Sequence, residues 1–255
     1  MPNDTGALKA WSDGDITVNQ YRTRATNVAD SLRLLDLSQD QNAKKGRVSI
    51  RSNDPASLFY LVVSILSDRK ADDRVIVGNQ GEAVRGQAGA SERILEAAWL
   101  SRNRAEVWDG NDTWERDIAY WMGLCGNYYV SAWCEKGPDG QPRWISDVMS
   151  PLETFHEPGS DGLGAAKVVH KYAVSIEQAR DKAATLGVSL DDLAGLQPRR
   201  QVEIMDIWDR RAANESPTHF WAWNTILLRT QSGTRFLRPP PQMRFSRIPI
   251  FCGSV

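Results

Sequence analysis

The chain has 255 residues and a mass of 28.5 kDa, with 31 Lys+Arg against 32 Asp+Glu and a formal net charge of −1. With 41% apolar and 25% charged residues, it has the composition of a globular protein with one sizeable core or two small ones, not that of a disordered chain. Three Cys, and 19 Gly without a period, exclude a disulfide-stapled or collagen-like scaffold, and the balanced charge argues against a protein that coats nucleic acid, though not against one that encloses it without gripping it.

Residues 1–17 carry Gly6, Gly14 and several Asp, and are expected to form a flexible, irregular N-terminal arm. They contain no basic start followed by an apolar run, so no secretory leader is expected. A helix is predicted over 18–37, where Tyr21, Ala25, Val28, Leu32 and Leu35 recur at helical spacing; the polar stretch 38–47 reads as a loop. Asn53-Asp54-Pro55 is a helix start, with Asp54 as cap and Pro55 suited to the first turn. That helix runs to about Ser67, and its middle, Leu58 to Leu66, is apolar except for Ser64. The run is far short of the ~20 residues that span a bilayer, so no membrane partner is expected; the helix should be deeply buried or packed on a neighbour. Residues 68–90 are charged, then Gly-rich, and the pattern admits a short strand at Arg74–Val77. Ser91 opens a long helix with Ile94, Leu95, Ala98 and Trp99 inward, ending near Asp109-Gly110. Asp112 or Thr113 caps a second helix, holding Trp114, Ile118, Tyr120, Trp121 and Leu124 and ending near Gly126; the two helices form a hairpin.

From Tyr128 the apolar period changes to two. Tyr128–Cys134 and Arg143–Met149 form a β-hairpin around a turn at Lys136–Gly140. Residues 151–164 read as a loop rich in Pro and Gly, and Lys167–Val174 as a strand. Ser175 and Gln178 form a capping box for a helix over 175–186, stopped by Gly187, and a short helical turn follows at Ser189–Leu193. Strands are predicted at Val202–Arg210, His219–Asn224, Thr225–Arg229 and Thr234–Leu237, and the three prolines within 238–243 set an extended connector. The fold class is α+β: N-terminal helices followed by a mostly antiparallel β-sheet with an inserted helix. The expected organisation is an arm at 1–17, a mainly helical region at 18–126 and a β-rich region at 127–255.

Ten Trp is a high count, and Trp99, Trp108, Trp114 and Trp121 lie close together. Filling of core and interface explains them better than a stacking platform for bases, because Arg102, Arg104 and Arg116 are offset by Glu106, Asp109, Asp112, Glu115 and Asp117. No P-loop, GxGxxG, GxSxG, HExxH or CxxC occurs, and His156, His170 and His219 are far apart in sequence. Asp206 and Trp208 share one face of their strand while Asp209 points away, and nothing supplies the third acid a two-metal nuclease would want. Cys125 and Cys134, without a partnered His, read as buried structural residues. No catalytic residue, metal or cofactor is therefore assigned, and no enzymatic activity is expected.

Several tracts carry a family likeness in order along the chain: Arg93–Asp109, Asp117–Gly126, Asn127–Glu135, Ile145–Pro151, Val202–Asp209 and Arg244–Ile250. Together they resemble the N-terminal, wing portion of tailed-bacteriophage portal proteins, the head-to-tail connectors. The last tract departs from the family pattern, with Ser246 where Gly is usual. The resemblance implies a structural subunit of a homo-oligomeric ring, typically of twelve copies, at one capsid vertex of the virion, made in the host cytoplasm. Through such a ring double-stranded DNA is packaged and ejected, and to it the tail is joined; terminase, major capsid protein and tail adaptor are the implied partners. In the family a stem helix and a clip follow the wing. This chain stops at Val255, about where the stem would begin, so no channel residue is named. A ring needs head-to-tail contacts, at which aromatics and Arg are enriched. Arg102, Arg104, Trp108, Trp114 and Trp121 are accordingly the expected subunit contact, against the alternative that their hairpin packs only within one chain. The alternative functions are another phage head or head–tail structural protein, or a nucleic-acid-processing enzyme.

Overall fold

A computed structural model of the chain describes residues 5–35, 54–67, 113–136, 142–159, 165–190, 200–213, 216–231 and 233–239, with scattered positions in 89–100 and 140, 244–245 and 248–254. The helices are α1 (Thr5–Gln20), α2 (Arg22–Leu35), α3 (Asp54–Ser67), α4 (Trp114–Cys125) and α5 (Ile176–Thr185). The strands are β1 (Asn127–Lys136), β2 (Pro142–Met149), β3 (Thr154–Pro158), β4 (Ala165–Ser175), β5 (Gln201–Ala213), β6 (Ser216–Thr230), β7 (Gly233–Arg238), β8 (Arg244–Phe245) and β9 (Ile250–Ser254). Helices followed by antiparallel strands, with α5 inserted, make this an α+β chain. It divides into two compact units, Met1–Ala29 with Met149–Cys252, and Asp30–Val148 with Gly253–Val255. The expected boundary at 126/127 marks a change of secondary structure, not of compact unit: α1 groups with the sheet, while β1 groups with α3 and α4.

The first unit is an antiparallel sheet in the order β3-β4-β5-β6-β7, with β8 against β6 and a helix on each face. Strict alternation along β5 explains both layers. Val202 and Ile204 face α5, in a core with Ile176, Ala179, Ala183, Ile226, Leu228 and Leu237. Met205 and Ile207 face α1, in a core with Ala7, Trp11, Val169 and Leu227.

The structure corrects the expectation of a flexible arm at 1–17. Residues 5–17 lie in α1, whose Ala7, Trp11, Gly14 and Thr17 are buried. Gly14 is an adaptation to closeness: a Cβ there would lie 2.3 Å from Met205 Sδ and 3.1 Å from Ile207 Cδ1. The same Gly lowers helix propensity, which is why the segment reads as irregular. The helix expected over 18–37 is two helices, parted at Tyr21.

Two further expectations change in the sheet. The stretch 151–164 is not all loop, since Thr154–Pro158 forms β3, with Thr154 and Phe155 buried against β4. As an edge strand β3 tolerates Pro158, which signals a loop in sequence. The two strands predicted at His219–Asn224 and Thr225–Arg229 are one continuous strand, β6. The polar pair Asn224-Thr225 at the expected break is buried, and Asn224 Oδ1 accepts a hydrogen bond from Arg238 Nη1 at 2.8 Å.

The capping box of α5 is present: Ser175 Oγ accepts from Gln178 N at 3.2 Å, and Gln178 Oε1 accepts from Ser175 N at 3.0 Å. Gly187 follows the helix at φ 72°, which favours glycine. Ser175→Ala is expected to lower stability by about 1 kcal/mol, read as a fall in the urea midpoint at constant m-value.

In the second unit α3 packs on α4, where Phe59 and Tyr120 meet edge-on at 5.4 Å. A Cβ on Gly123 would lie 3.0 Å from Phe59 Cε2, so this glycine sets the closeness of the two helices. Helix α3 starts at Asp54 and ends at Ser67, as its Asn-Asp-Pro start predicts. Thr113 caps α4 through Arg116 N, and Gly126 ends it at φ 72°. Strands β1 and β2 pair as the predicted hairpin. The described residues of the helix expected from Ser91, at 92–93, 96–97 and 100, are helical; its predicted inward positions and the strand at Arg74–Val77 lie outside the described residues.

Candidate functional site

Of the five residues expected at a subunit contact, Arg102, Arg104 and Trp108 lie outside the described residues. Trp114 and Trp121 sit on α4. Trp114 is only 5% exposed, so its indole is packed inside its own chain and offers no surface to a neighbour. A large ring at the first turn of α4 is thus packed as a core residue. Trp121 is half-buried, its ring 5.3 Å from Tyr120. Its carbonyl accepts from Cys125 Sγ at 2.9 Å.

The feature the sequence reading missed is on α3. Its inward face is narrow, with Ala56 and Val63 buried and Phe59 partly so. The opposite face carries Leu58 at 62% exposure, Leu61 at 57%, Val62 at 43% and Ile65 at 52%. These four follow the i, i+3, i+4, i+7 spacing of an apolar stripe, flanked by the exposed Leu66; Tyr60, also exposed, lies beyond Ser57 and Ser64 on the other side, its ring 5.5 Å from Phe59. The apolar run was legible, but a helix that is apolar all round gives no period from which to tell its inward face from its outward one.

The densest group of titratable side chains lies in the first unit, between the sheet and α5. Register places Asp206 of β5 directly opposite His170 of β4. Lys182 reaches down from α5, its Nζ donating to Asp206 Oδ2 at 2.9 Å and to the Tyr172 hydroxyl. His170 stacks on Tyr172 at 4.3 Å, and its Nε2 lies 3.9 Å from Glu153 Oε2. Burial first, then the charge of Asp206, pushes the Tyr172 hydroxyl up from 10.0 to about 12, against the opposing pull of Lys182. Burial alone would lower Lys182, but Asp206 and then Tyr172 outweigh it and hold the ammonium above its ordinary range. Near neutral pH the pair is thus a fixed ammonium and a fixed phenol. Neither is poised as a base or nucleophile, and the group ties α5 to the sheet.

On the opposite face, Lys171 pairs with Asp15 of α1 at 2.9 Å and with Glu203 at 3.8 Å. These three residues line an open cleft of about 400 Å³ together with Arg22, Glu153 and Asn19. Its size suits a small ligand, but its lysine is already matched by carboxylates from both sides. A second cleft of about 290 Å³ lies between α1 and the sheet, bordered by Asp13, Ile16, Lys167, Asp209 and Trp223. Asp209 and Asp206 therefore face opposite sides of the sheet, as the strand period requires. Among the described residues there is no group of three His, Cys, Asp or Glu that could hold a metal ion. No described helix is long and apolar enough to cross a membrane.

No protein-family model matches this chain, and no curated protein sequence does. Its own geometry must carry the functional reading. Among the described residues that geometry presents a structural polar tie, two open clefts and one exposed apolar helix face.

Proposed function

We propose that the chain is a structural subunit of a phage portal, which assembles into a ring at one capsid vertex through which double-stranded DNA passes and to which the tail is joined. The observation that supports this reading is the order in which the portal-like tracts fall on secondary structure. Asp117–Gly126 covers the end of α4 and its Gly stop, Asn127–Glu135 is β1, and Ile145–Pro151 is the end of β2 and the turn after it. Val202–Asp209 is the central strand β5, and Arg244–Ile250 begins in β8 and ends at the start of β9. A near-neutral chain also suits a ring that lets DNA slide, because each phosphate gripped by a cation adds salt-dependent affinity.

The test is the size and symmetry of the purified protein, by native mass spectrometry and negative-stain electron microscopy. The expected result is a closed ring of about twelve 28.5 kDa protomers, with no magnesium-dependent cleavage of DNA. A population of monomers, or nuclease activity that follows the protein through purification, rejects the reading.

A further inference from the structure

We infer that the cleft between α1 and the sheet, lined by Asp13, Asp209, Trp223 and Thr225, is a binding site for a small organic cation: an ammonium or guanidinium group on a short aliphatic body. The cleft lies wholly within the first unit, and the inference does not rest on the portal reading.

Strand register builds one wall. Lys167, Asp209 and Trp223 stand opposite one another across β4, β5 and β6, and Val169, Ile207 and Thr225 form the next row on the same face. That face is the one α1 covers. The seam of α1 against the sheet holds the buried Trp11, Gly14 and Thr17. Ala10, Asp13 and Ile16, each one residue earlier, lie on the flank beside that seam and form the other wall. The space between the walls, about 290 Å³, is at the small end of ligand sites.

The first observation that points to a ligand is Thr225. It is only 8% exposed and lines the cleft, and its hydroxyl has no hydrogen-bond partner among the described residues. Hydroxyls so deeply placed are almost always bonded, and the cleft is the open side from which a partner can come.

The second observation is charge. Among the described lining residues, two carboxylates, Asp13 and Asp209, face one cation, Lys167. That cation is already engaged. Its Nζ donates to the Asp13 carbonyl at 2.9 Å and lies 3.8 Å from Glu157 Oε1, which also accepts from Thr17 Oγ1. The ammonium ties α1 to the sheet, and the charge left facing the cleft is negative.

The lining chooses among occupants. Carboxylate and hydroxyl oxygens accept from N–H groups, the indole of Trp223 offers a π face to a cation, and Ala10, Ile16 and Ile207 offer apolar contact to an aliphatic body. An anion meets two like charges. A bare divalent metal ion wants more oxygens than these walls supply and gains nothing from an indole and two isoleucines. A sugar needs donors as well as acceptors, and the ammonium is committed. The cation is carried by a free amine or guanidine, or by a Lys or Arg side chain of another protein.

The experiment titrates the full chain, labelled with ¹⁵N, and follows the indole N–H signal of Trp223, assigned by its loss in Trp223→Phe. The probes are n-butylguanidinium, n-butylammonium and the uncharged isostere N-butylurea. The expected result is a saturable shift with both cations at a Kd of about 1 mM, the strength that ligands this small reach, and at least about 10-fold weaker binding of the urea. Asp13→Asn and Thr225→Val should each weaken binding of n-butylguanidinium at least about 3-fold, while Asp181→Asn, on α5 beyond the other face of the sheet, leaves it unchanged. Circular dichroism reads folding, and Asp13→Asn, at an exposed position, decides the matter if Thr225→Val does not fold. Nα-acetyl-arginine methylamide separates the sources: binding tighter than n-butylguanidinium assigns the site to a protein side chain, weaker binding to a free cation, and both support it. No saturable shift with either cation, equal binding of N-butylurea, equal loss in Asp181→Asn, undiminished binding in Asp13→Asn, or a saturable shift with magnesium or methyl β-glucopyranoside in place of the cations overturns the inference.

Discussion

Replacing Trp11 with alanine is expected to lower the unfolding free energy by about 3–5 kcal/mol, the range for deleting a buried Trp side chain. Trp11 is 2% exposed and packs with Val169, Met205, Ile207 and Leu227 on one face of the sheet. Two cations cover its ring, Lys171 Nζ at 5.2 Å and Arg229 Cζ at 5.4 Å from the centroid. Asp15, one turn along α1, holds the same two cations, with Lys171 at 2.9 Å and Arg229 at 3.9 Å. The indole is thus the platform on which these charges are stacked, and its loss both opens a cavity and loosens the ion pairs. Urea denaturation checks this through the midpoint, with the m-value unchanged. If residues 1–17 were a loose arm, the substitution would change stability by less than about 0.5 kcal/mol. Trp11→Phe should recover part of the loss, because it restores a π face over less volume.

The second large effect is alkaline. The Tyr172 hydroxyl titrates at about 12 in the folded chain against 10.0 when unperturbed. Below pH 10 both folded and unfolded chains keep this proton, and the contribution to stability is complete. Between pH 10 and 12 the unfolded chain releases the proton while the folded chain holds it, so stability falls as pH rises. Two pH units correspond to about 2–3 kcal/mol, an upper figure because the hydroxyl is shared with the Lys182 and Asp206 pair. Lys182, also raised, adds to the fall in the same direction and begins later, above the ordinary lysine value. Urea midpoints measured from pH 8 to 12 should be flat to about pH 10 and then decline. Tyr172→Phe should reduce the slope between pH 10 and 12 and leave the Lys182 and Asp206 ion pair in place. An unchanged slope would show that the hydroxyl is not held in the folded chain.

Local signals with one strong cause were legible in the sequence. The Ser175/Gln178 box, the Asn53-Asp54-Pro55 start, the Gly126 stop and the alternation of β5 each specify an element by short-range chemistry, and each is present. What failed did so where tertiary packing overrode the local signal. Gly14 weakens α1 as an isolated helix, yet it is what lets α1 lie against Met205. Asn224-Thr225 looks like a break until Arg238 arrives from the neighbouring strand to bond the amide. Pro158 looks like a loop residue until β3 is found at the edge of its sheet. Trp114 was legible as a buried ring, because Trp fills cores. The stripe on α3 was hidden because distinguishing faces needs a polar side for contrast, and α3 has almost none.

The pairing of α1 with strands that follow it far along the chain dictates an order of events during synthesis. Thr5–Gln20 leaves the ribosome long before β4 and β5, the strands that cover Trp11, have been made. At about 5–20 residues per second, the wait is roughly ten to forty seconds. The intervening Asp30–Val148 emerges whole in that interval and can settle first. The nascent α1 therefore carries an indole and its aliphatic neighbours without their sheet partners until β5 has been made.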